Sequence, residues 1–370
     1  MKKLGFGLMR LPQLNADDPT SIDMEQMKRM VDVFIERGFT YFDTAYPYHG
    51  GRSESAFREA VAERYPRDRF TVTSKMPCWL VNTPDDLERI FNEQLERCGV
   101  DYFDYYWLHA LNSDRVDLMD RVDGWGFIAR KKAEGKIRHI GFSFHAESAL
   151  LERLLQQHPE VEFVQLQINY LDWDSPTIEA RTCYDLCVSH HKPVIVMEPV
   201  KGGGLATVPP QVEAMFKDYD PTASAASWAV RYCASLPGVM MVLSGMSDME
   251  QVLDNTGYMQ DFKPLTAREQ EIVTRAAAII KQAIAIPCTV CHYCTDGCPQ
   301  NICIPEYFNI YNTLHQFGEV QRIGCNTYFG VLSKTHGRPS DCIECRQCEE
   351  QCPQHIAIVD NLKLVSQTFE

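Results

Sequence analysis

Ten of the chain's fifteen cysteines fall within residues 288–352, eight of them in two runs of identical spacing. The first is Cys288-x2-Cys291-x2-Cys294-x3-Cys298, followed by Pro299. The second is Cys342-x2-Cys345-x2-Cys348-x3-Cys352, followed by Pro353. A disulfide framework would be short and secreted, whereas this chain has 370 residues and is 45% hydrophobic. The better reading is a reducing environment and metal ligation. Three closely spaced thiolates wrap three corners of an iron–sulfur cube, and the fourth, held by its proline, turns away to the other cube. The spacing therefore predicts two [4Fe–4S] clusters with crossed ligation. Cys288, Cys291, Cys294 and Cys352 are assigned to one, and Cys342, Cys345, Cys348 and Cys298 to the other. Zinc also takes four thiolates, but its sites usually use two CxxC pairs and not four-cysteine runs ending in proline. Cys303 and Cys325 lie outside the motif and read as buried thiols.

This segment resembles the helical two-cluster ferredoxin domains fused to many anaerobic redox enzymes, with a helix expected over Pro305–Phe317. The net charge of −14 argues against nucleic-acid binding, which needs a basic surface to neutralise phosphates. No apolar run approaches the roughly 18–20 residues that cross a bilayer. The start, MKKLGFGLMRLPQLNADD, lacks a sustained apolar core and reads as mature sequence. A cytoplasmic location is expected.

Ahead of the cysteines, short β-rich runs alternate with helical patterns. Strands are expected at Leu4–Leu8, Thr40–Phe42, Thr71–Ser74, Phe103–Leu108, His139–Phe142, Phe163–Leu166, Val194–Met197 and Val239–Leu243. Helices are expected near Met24–Arg37, Glu54–Glu63, Pro84–Arg97, Val116–Ala133, Glu147–Gln157, Thr177–His190, Thr222–Cys233 and Asp248–Asn255. Eight strand-plus-helix units predict an α/β fold, a parallel (β/α)8 TIM barrel, followed by a small, mainly helical iron–sulfur domain. A doubly wound sheet is the alternative, but no GxGxxG follows the first strand. The expected boundaries are 1–260 for the barrel, 261–287 for a connecting helix and 288–370 for the cluster domain. The connecting helix has Thr266 and Glu269 at capping-box spacing.

Three successive strand ends carry chemistry. Asp43-Thr44-Ala45-Tyr46-Pro47-Tyr48 follows the second strand, Lys75 ends the third and His109 ends the fourth. These places form the C-terminal mouth of such a barrel, where active sites assemble. Over roughly residues 1–256 the sequence resembles the aldo–keto reductase family. The resemblance implies a catalytic tetrad of Asp43, Tyr48, Lys75 and His109. Reducing a carbonyl by hydride transfer needs a proton for the developing alkoxide. Tyrosine, with a pKa of about 10, is a poor acid unless a cation such as Lys75 stabilises its anion. Asp43 would pair with the lysine, and His109 would orient the carbonyl.

The resemblance also implies cofactor contacts at Ser143, Gln165, Asn169, Met197, Gly245, Ser247, Gln251 and Asn255; Gly202 joins them because the run Gly202–Gly204 either lets backbone approach a phosphate or serves a turn. Several positions depart from the family pattern. Phe144 stands where an asparagine holds the nicotinamide carboxamide, Met197 where an aromatic stacks, and Gly245 and Gln251 where basic residues grip a 2′-phosphate. The expected activity is interconversion of a carbonyl and an alcohol, or a related small organic substrate, with NAD(P)H as hydride donor. The alternatives are a flavin-linked (FMN or another flavin) or ferredoxin-linked reductase, and an electron-transfer protein with an inactive barrel. Expected partners are the small substrate and a ferredoxin or other electron-transfer protein.

Overall fold

The computed structural model describes residues 2–15, 18–175, 178–317 and 322–370. The strands are β1 (Leu4–Gly7), β2 (Tyr41–Asp43), β3 (Thr71–Met76), β4 (Phe103–Leu111), β5 (Ile137–Phe144), β6 (Phe163–Gln167), β7 (Val194–Met197) and β8 (Val239–Gly245). They pair in parallel, each with its sequence neighbour, and β8 returns to β1 to close the barrel. This is the expected (β/α)8 architecture, with all eight strands where the sequence placed them.

The barrel fills itself by alternation. Tyr41, Trp107, Phe163, Ile195, Met241 and Leu243 form one buried interior cluster. Glycines on other strands make room for these rings. A Cβ on Gly5 would stand 2.7 Å from Leu243, and one on Gly141 2.5 Å from the Phe163 ring. Side chains on a strand repeat their facing every two residues. The residues two positions beyond this layer are therefore Asp43, His109, Ser143, Gln165, Met197 and Gly245, all turned to the same inner face at the C-terminal end. Lys75 follows Thr73 on β3 by the same rule.

Helical expectations were met with local differences. The stretch Val116–Ala133 is two helices, Ser113–Arg121 and Gly124–Ala133, because Asp123 takes a left-handed backbone with φ 58°. The helix expected from Thr177 is described as Ala180–Ser189; its expected first residue lies outside the described residues. Helices Pro210–Tyr219, Arg322–Leu332 and Ile358–Phe369 were not expected.

The chain divides into two compact units: residues 1–199 with 227–265, and residues 200–226 with 266–370. The cluster-bearing unit thus also takes in the segment after β7, which the expected contiguous division placed with the barrel. Its packing shows why. A Cβ on Gly202 would come within 2.2 Å of the Thr289 carbonyl oxygen. Lys201 Nζ donates to Gln354 Oε1 at 3.4 Å. Ile286, Ile302, Ile304, Tyr307, Phe308 and Leu362 are among the residues forming the core of this unit.

Candidate active site and metal centre

Three of the four tetrad side chains sit at the barrel mouth with almost no exposure: Lys75 is 0%, Asp43 3% and His109 5% exposed. Lys75 Nζ donates to Asp43 Oδ1 at 2.8 Å and to the Thr44 carbonyl at 2.7 Å. The other carboxylate oxygen of Asp43 accepts from Thr73 Oγ1 at 2.8 Å. Burial raises the Asp43 pKa and lowers that of Lys75; each partner's opposite charge works against the shift. A pair held this way is ionic because neither charge is left alone.

The lysine also faces aromatic rings. Its Nζ lies 4.9 Å from the Tyr48 ring centroid and 4.8 Å from that of Trp107. Tyr48 is partly exposed and stands edge-on to His109, with centroids 6.1 Å apart. Burial, then the positive field of Lys75, holds the His109 pKa well below its ordinary value, so the imidazole is neutral. Its Nδ1 is buried without a hydrogen-bond partner among the described residues. The four residues expected to act together are thus together.

Sequence reasoning missed two neighbours. The Trp79 ring lies 5.1 Å from that of His109, and the Arg115 guanidinium lies 5.0 Å from the Trp79 ring. Arg115 also donates to the Ala110 carbonyl at 2.7 Å. Both follow the ends of β3 and β4 by a few residues, which was the available signal. A third, Glu54, is fully buried behind the site. Ser74 Oγ and Gln94 Nε2 each donate to its Oε1 at 2.7 Å, and Gln94 also donates to the Lys75 carbonyl at 3.0 Å. Burial pushes the Glu54 carboxyl up to about 6.

The expected cofactor contacts are mostly engaged within the protein. Ser143 Oγ accepts from the Ala110 N–H at 2.6 Å. Asn169 accepts from the N–H groups of Leu171 and Asp172, and donates to Asp172 Oδ2 at 2.9 Å and the Glu198 carbonyl at 3.3 Å. Gln165 is buried on the inner face and Met197 ends β7 partly exposed. Gly202 lies in the other unit, where Thr289 requires its missing side chain. Gly245 packs under Arg10, and Ser247 Oγ donates to the Arg10 carbonyl at 3.0 Å. Gln251 is tied to Asp248, which caps helix Met249–Gln260 by accepting from Gln251 N at 2.9 Å. Asn255 donates to Ser244 Oγ at 2.9 Å and accepts from Tyr258.

In the second unit eight cysteines line two cavities, four to each. One cavity is lined by Cys288, Cys291, Cys294 and Cys352. Another is lined by Cys298, Cys342, Cys345 and Cys348. The backbone repeats as well. Val290, His292 and Asn301 have positive φ, and so do Glu344, Arg346 and His355. Each of the latter stands 54 residues after its counterpart, as each cysteine does. Non-glycine residues rarely adopt this conformation, and it turns successive N–H groups into an anion-binding concavity. Val290 N, for example, donates to Cys288 Sγ at 3.4 Å. Four cysteine sulfurs around a cavity, with the Val290 N–H turned toward one of them, suit a group that carries negative charge. Cys303 and Cys325 are buried thiols, and neither lines a cluster cavity.

Comparisons with known proteins agree. Residues 3–278 match the model of the Aldo/keto reductase family, and residues 287–357 that of a 4Fe-4S dicluster domain. An aldo-keto reductase of Mycolicibacterium smegmatis is 33% identical over 127 residues, covering 33% of this chain and 41% of that protein. The chain spans about half the length of the curated relatives it matches. An aldo-keto reductase from Bacillus halodurans superposes with a TM-score of 0.60 at 23% identity, covering 74% of this chain and 91% of that one. One from Klebsiella pneumoniae, solved in complex with NADPH, gives 0.57 at 21% identity, covering 74% and 90%. These likenesses show the fold. No helix among the described residues is long and apolar enough to cross a membrane.

Proposed function

Because the chain belongs to the aldo/keto reductase family and carries a C-terminal 4Fe-4S dicluster domain, we propose that it is an iron–sulfur oxidoreductase interconverting a small carbonyl and its alcohol, with Tyr48 as general acid and base. The observation that carries this is the buried Lys75 ammonium, fixed by Asp43 and Thr44 and facing the Tyr48 ring at 4.9 Å. An adjacent cation favours the phenolate form and so makes the phenol a usable proton donor near neutral pH. Neutral His109, with a buried nitrogen lacking a partner, positions the substrate oxygen. In the reducing direction Tyr48 gives its phenolic proton to that oxygen; in the oxidising direction it takes the proton back. Asp43 keeps the lysine in place and offsets its burial.

A nicotinamide would supply the hydride, with Gln165 and Met197 lining its ring. The two cysteine sets would hold [4Fe–4S] clusters, which supply single-electron transfer. A cytoplasmic enzyme with a ferredoxin-type partner suits that composition. One observation favours a second reading. Ser143, Asn169, Gln251 and Asn255 already have protein partners, and Phe144 replaces the carboxamide asparagine. That leaves room for a flavin in the barrel, which the clusters would feed one electron at a time.

The test is Tyr48→Phe. Turnover of a carbonyl panel should fall by roughly 10²–10⁴-fold while clusters and bound cofactor stay intact. Unchanged turnover would refute the acid/base assignment. The spectrum and released small molecules of anaerobically purified protein separate nicotinamide from flavin.

A further inference from the structure

The two cysteine sets have the same spacing and backbone but different surroundings. Around the second set the charges are mostly exposed. Arg346 lies 2.8 Å from Glu349 and Lys363 2.9 Å from Glu344, with three of these four side chains at least half exposed. Cys345 itself is exposed. Exposed pairs interact weakly and are screened by salt.

The first set is different. Its cavity is walled by Ile304, Phe308, Ile356 and Ile358, and two of its ligands, Cys294 and Cys352, are buried. Two polar side chains also line it, Thr289 and Gln354. Thr289 Oγ1 is buried with no hydrogen-bond partner among the described residues. Gln354 accepts from Lys201 Nζ at 3.4 Å, and Lys201 is only 5% exposed. The lysine is not part of the cysteine domain's own sequence. It lies four residues after the end of β7, on a segment held against Thr289 by Gly202. Lys201 takes a left-handed backbone, φ 48°, which a lysine adopts only when its surroundings impose it.

We propose that Lys201 is the counter-charge that makes the buried cluster, held by Cys288, Cys291, Cys294 and Cys352, reducible. The proposal rests on the two-cluster reading above. Reduction adds one electron and no proton to a group that is already anionic. In an apolar cavity that electron is unfavourable, and net charge, hydrogen bonds to sulfur and solvent exposure set the potential. An ammonium one side chain away lowers the cost, and burial makes its field strong. The second cluster has water for the same purpose. Glu306, 3.5 Å from His292 beside the first run, opposes the lysine and makes the counter-charge more necessary. The electron arrives from a one-electron donor of the soluble ferredoxin class, directly or through the second cluster. The donor is oxidised by one electron, the cluster reduced by one, and no bond to protein changes.

The test is a redox titration of anaerobic full-length protein with dithionite, followed by electron paramagnetic resonance. Cys345→Ser identifies the signal of the second cluster. Lys201→Met should shift the one-electron reduction equilibrium of the first cluster at least tenfold toward the oxidised form, about 59 mV. The second cluster's signal should stay in place, and Lys201→Arg should titrate like the parent. Equal shifts in both clusters, or none, would overturn the proposal. If neutral variants at 201 lose iron and only Lys201→Arg keeps it, the lysine's role is structural and the proposal also fails. Absence of any iron–sulfur signal in the parent protein would instead defeat the two-cluster reading itself.

Discussion

Lys75→Met separates what the buried ion pair does for stability from what it does for chemistry. The change removes two hydrogen bonds, to Asp43 at 2.8 Å and to the Thr44 carbonyl at 2.7 Å, and leaves Asp43 with Thr73 alone. Breaking a buried pair from one side costs about 3–5 kcal/mol, because the remaining charge is uncompensated. Asp43 then relieves the cost by taking up a proton, in the direction burial already pushes it. Urea unfolding at neutral pH should therefore show a loss at the lower end of that range. Adding Asp43→Asn should recover much of it, since no charge is left to bury. Turnover should behave otherwise: the single and double variants should both be slowed by at least about a hundredfold, because neither has a cation beside Tyr48. A double variant no more stable than the single would refute the account of the pair. Normal turnover in either would refute the account of the tyrosine.

Iron analysis of anaerobic protein should give about eight atoms, two cubes of four. Cys352→Ala should remove the cluster of Cys288, Cys291 and Cys294 and spare that of its own sequence neighbours; loss of only the latter would disprove the crossed ligation. Glu54 predicts a pH effect. Its folded carboxyl is pushed up to about 6 from an ordinary 4.5, so the folded state holds the proton more tightly. The stability this confers is present below about pH 4.5 and is lost as pH rises through about 6, a change of about 2 kcal/mol. Glu54→Gln should flatten that part of the stability–pH curve, and a parallel curve would rule the residue out as its source. Steady-state rates with the two coenzymes should show no strong preference for NADPH over NADH, and a large preference for NADPH would contradict the charge argument at Gly245 and Gln251.

The barrel was legible because its strands are short, apolar and regularly spaced. Its mouth was legible because alternation along a strand carries an interior ring to a site residue two positions on, as from Tyr41 to Asp43 and from Trp107 to His109. The grouping of the cysteines was legible because their spacing repeats: Cys288, Cys291 and Cys294 line one cavity with Cys352, and Cys342, Cys345 and Cys348 line another with Cys298. Less could be read where long-range packing decides. Nothing local marks Val200–Ala226 as part of the second unit; what ties it there is Gly202 lying against Thr289, 87 residues away. Helix Ile358–Phe369 escaped for a similar reason. It follows the last cysteine without a side-chain cap, and the buried stripe of Ile358, Val359, Leu362 and Val365 has its partners elsewhere in the unit.

The coenzyme side was the hardest to read, and the reason is physical. A polar side chain announces that it will form hydrogen bonds but not with what. Ser143, Asn169, Gln251 and Asn255 each match a position implied by the family resemblance, and each is engaged with a neighbour in the fold. A ligand would either use the capacity those bonds leave over or displace one of them, and displacement is a small net gain compared with filling an empty donor or acceptor. Charge sharpens the point at helix Met249–Gln260. A helix N-terminus attracts anions, but here the Asp248 carboxylate already accepts from Gln251 N at 2.9 Å. A phosphate group approaching that turn meets a fixed negative charge as well as the missing basic residues. Both effects act in the same direction, against a 2′-phosphate, and only the missing basic residues were read from the sequence.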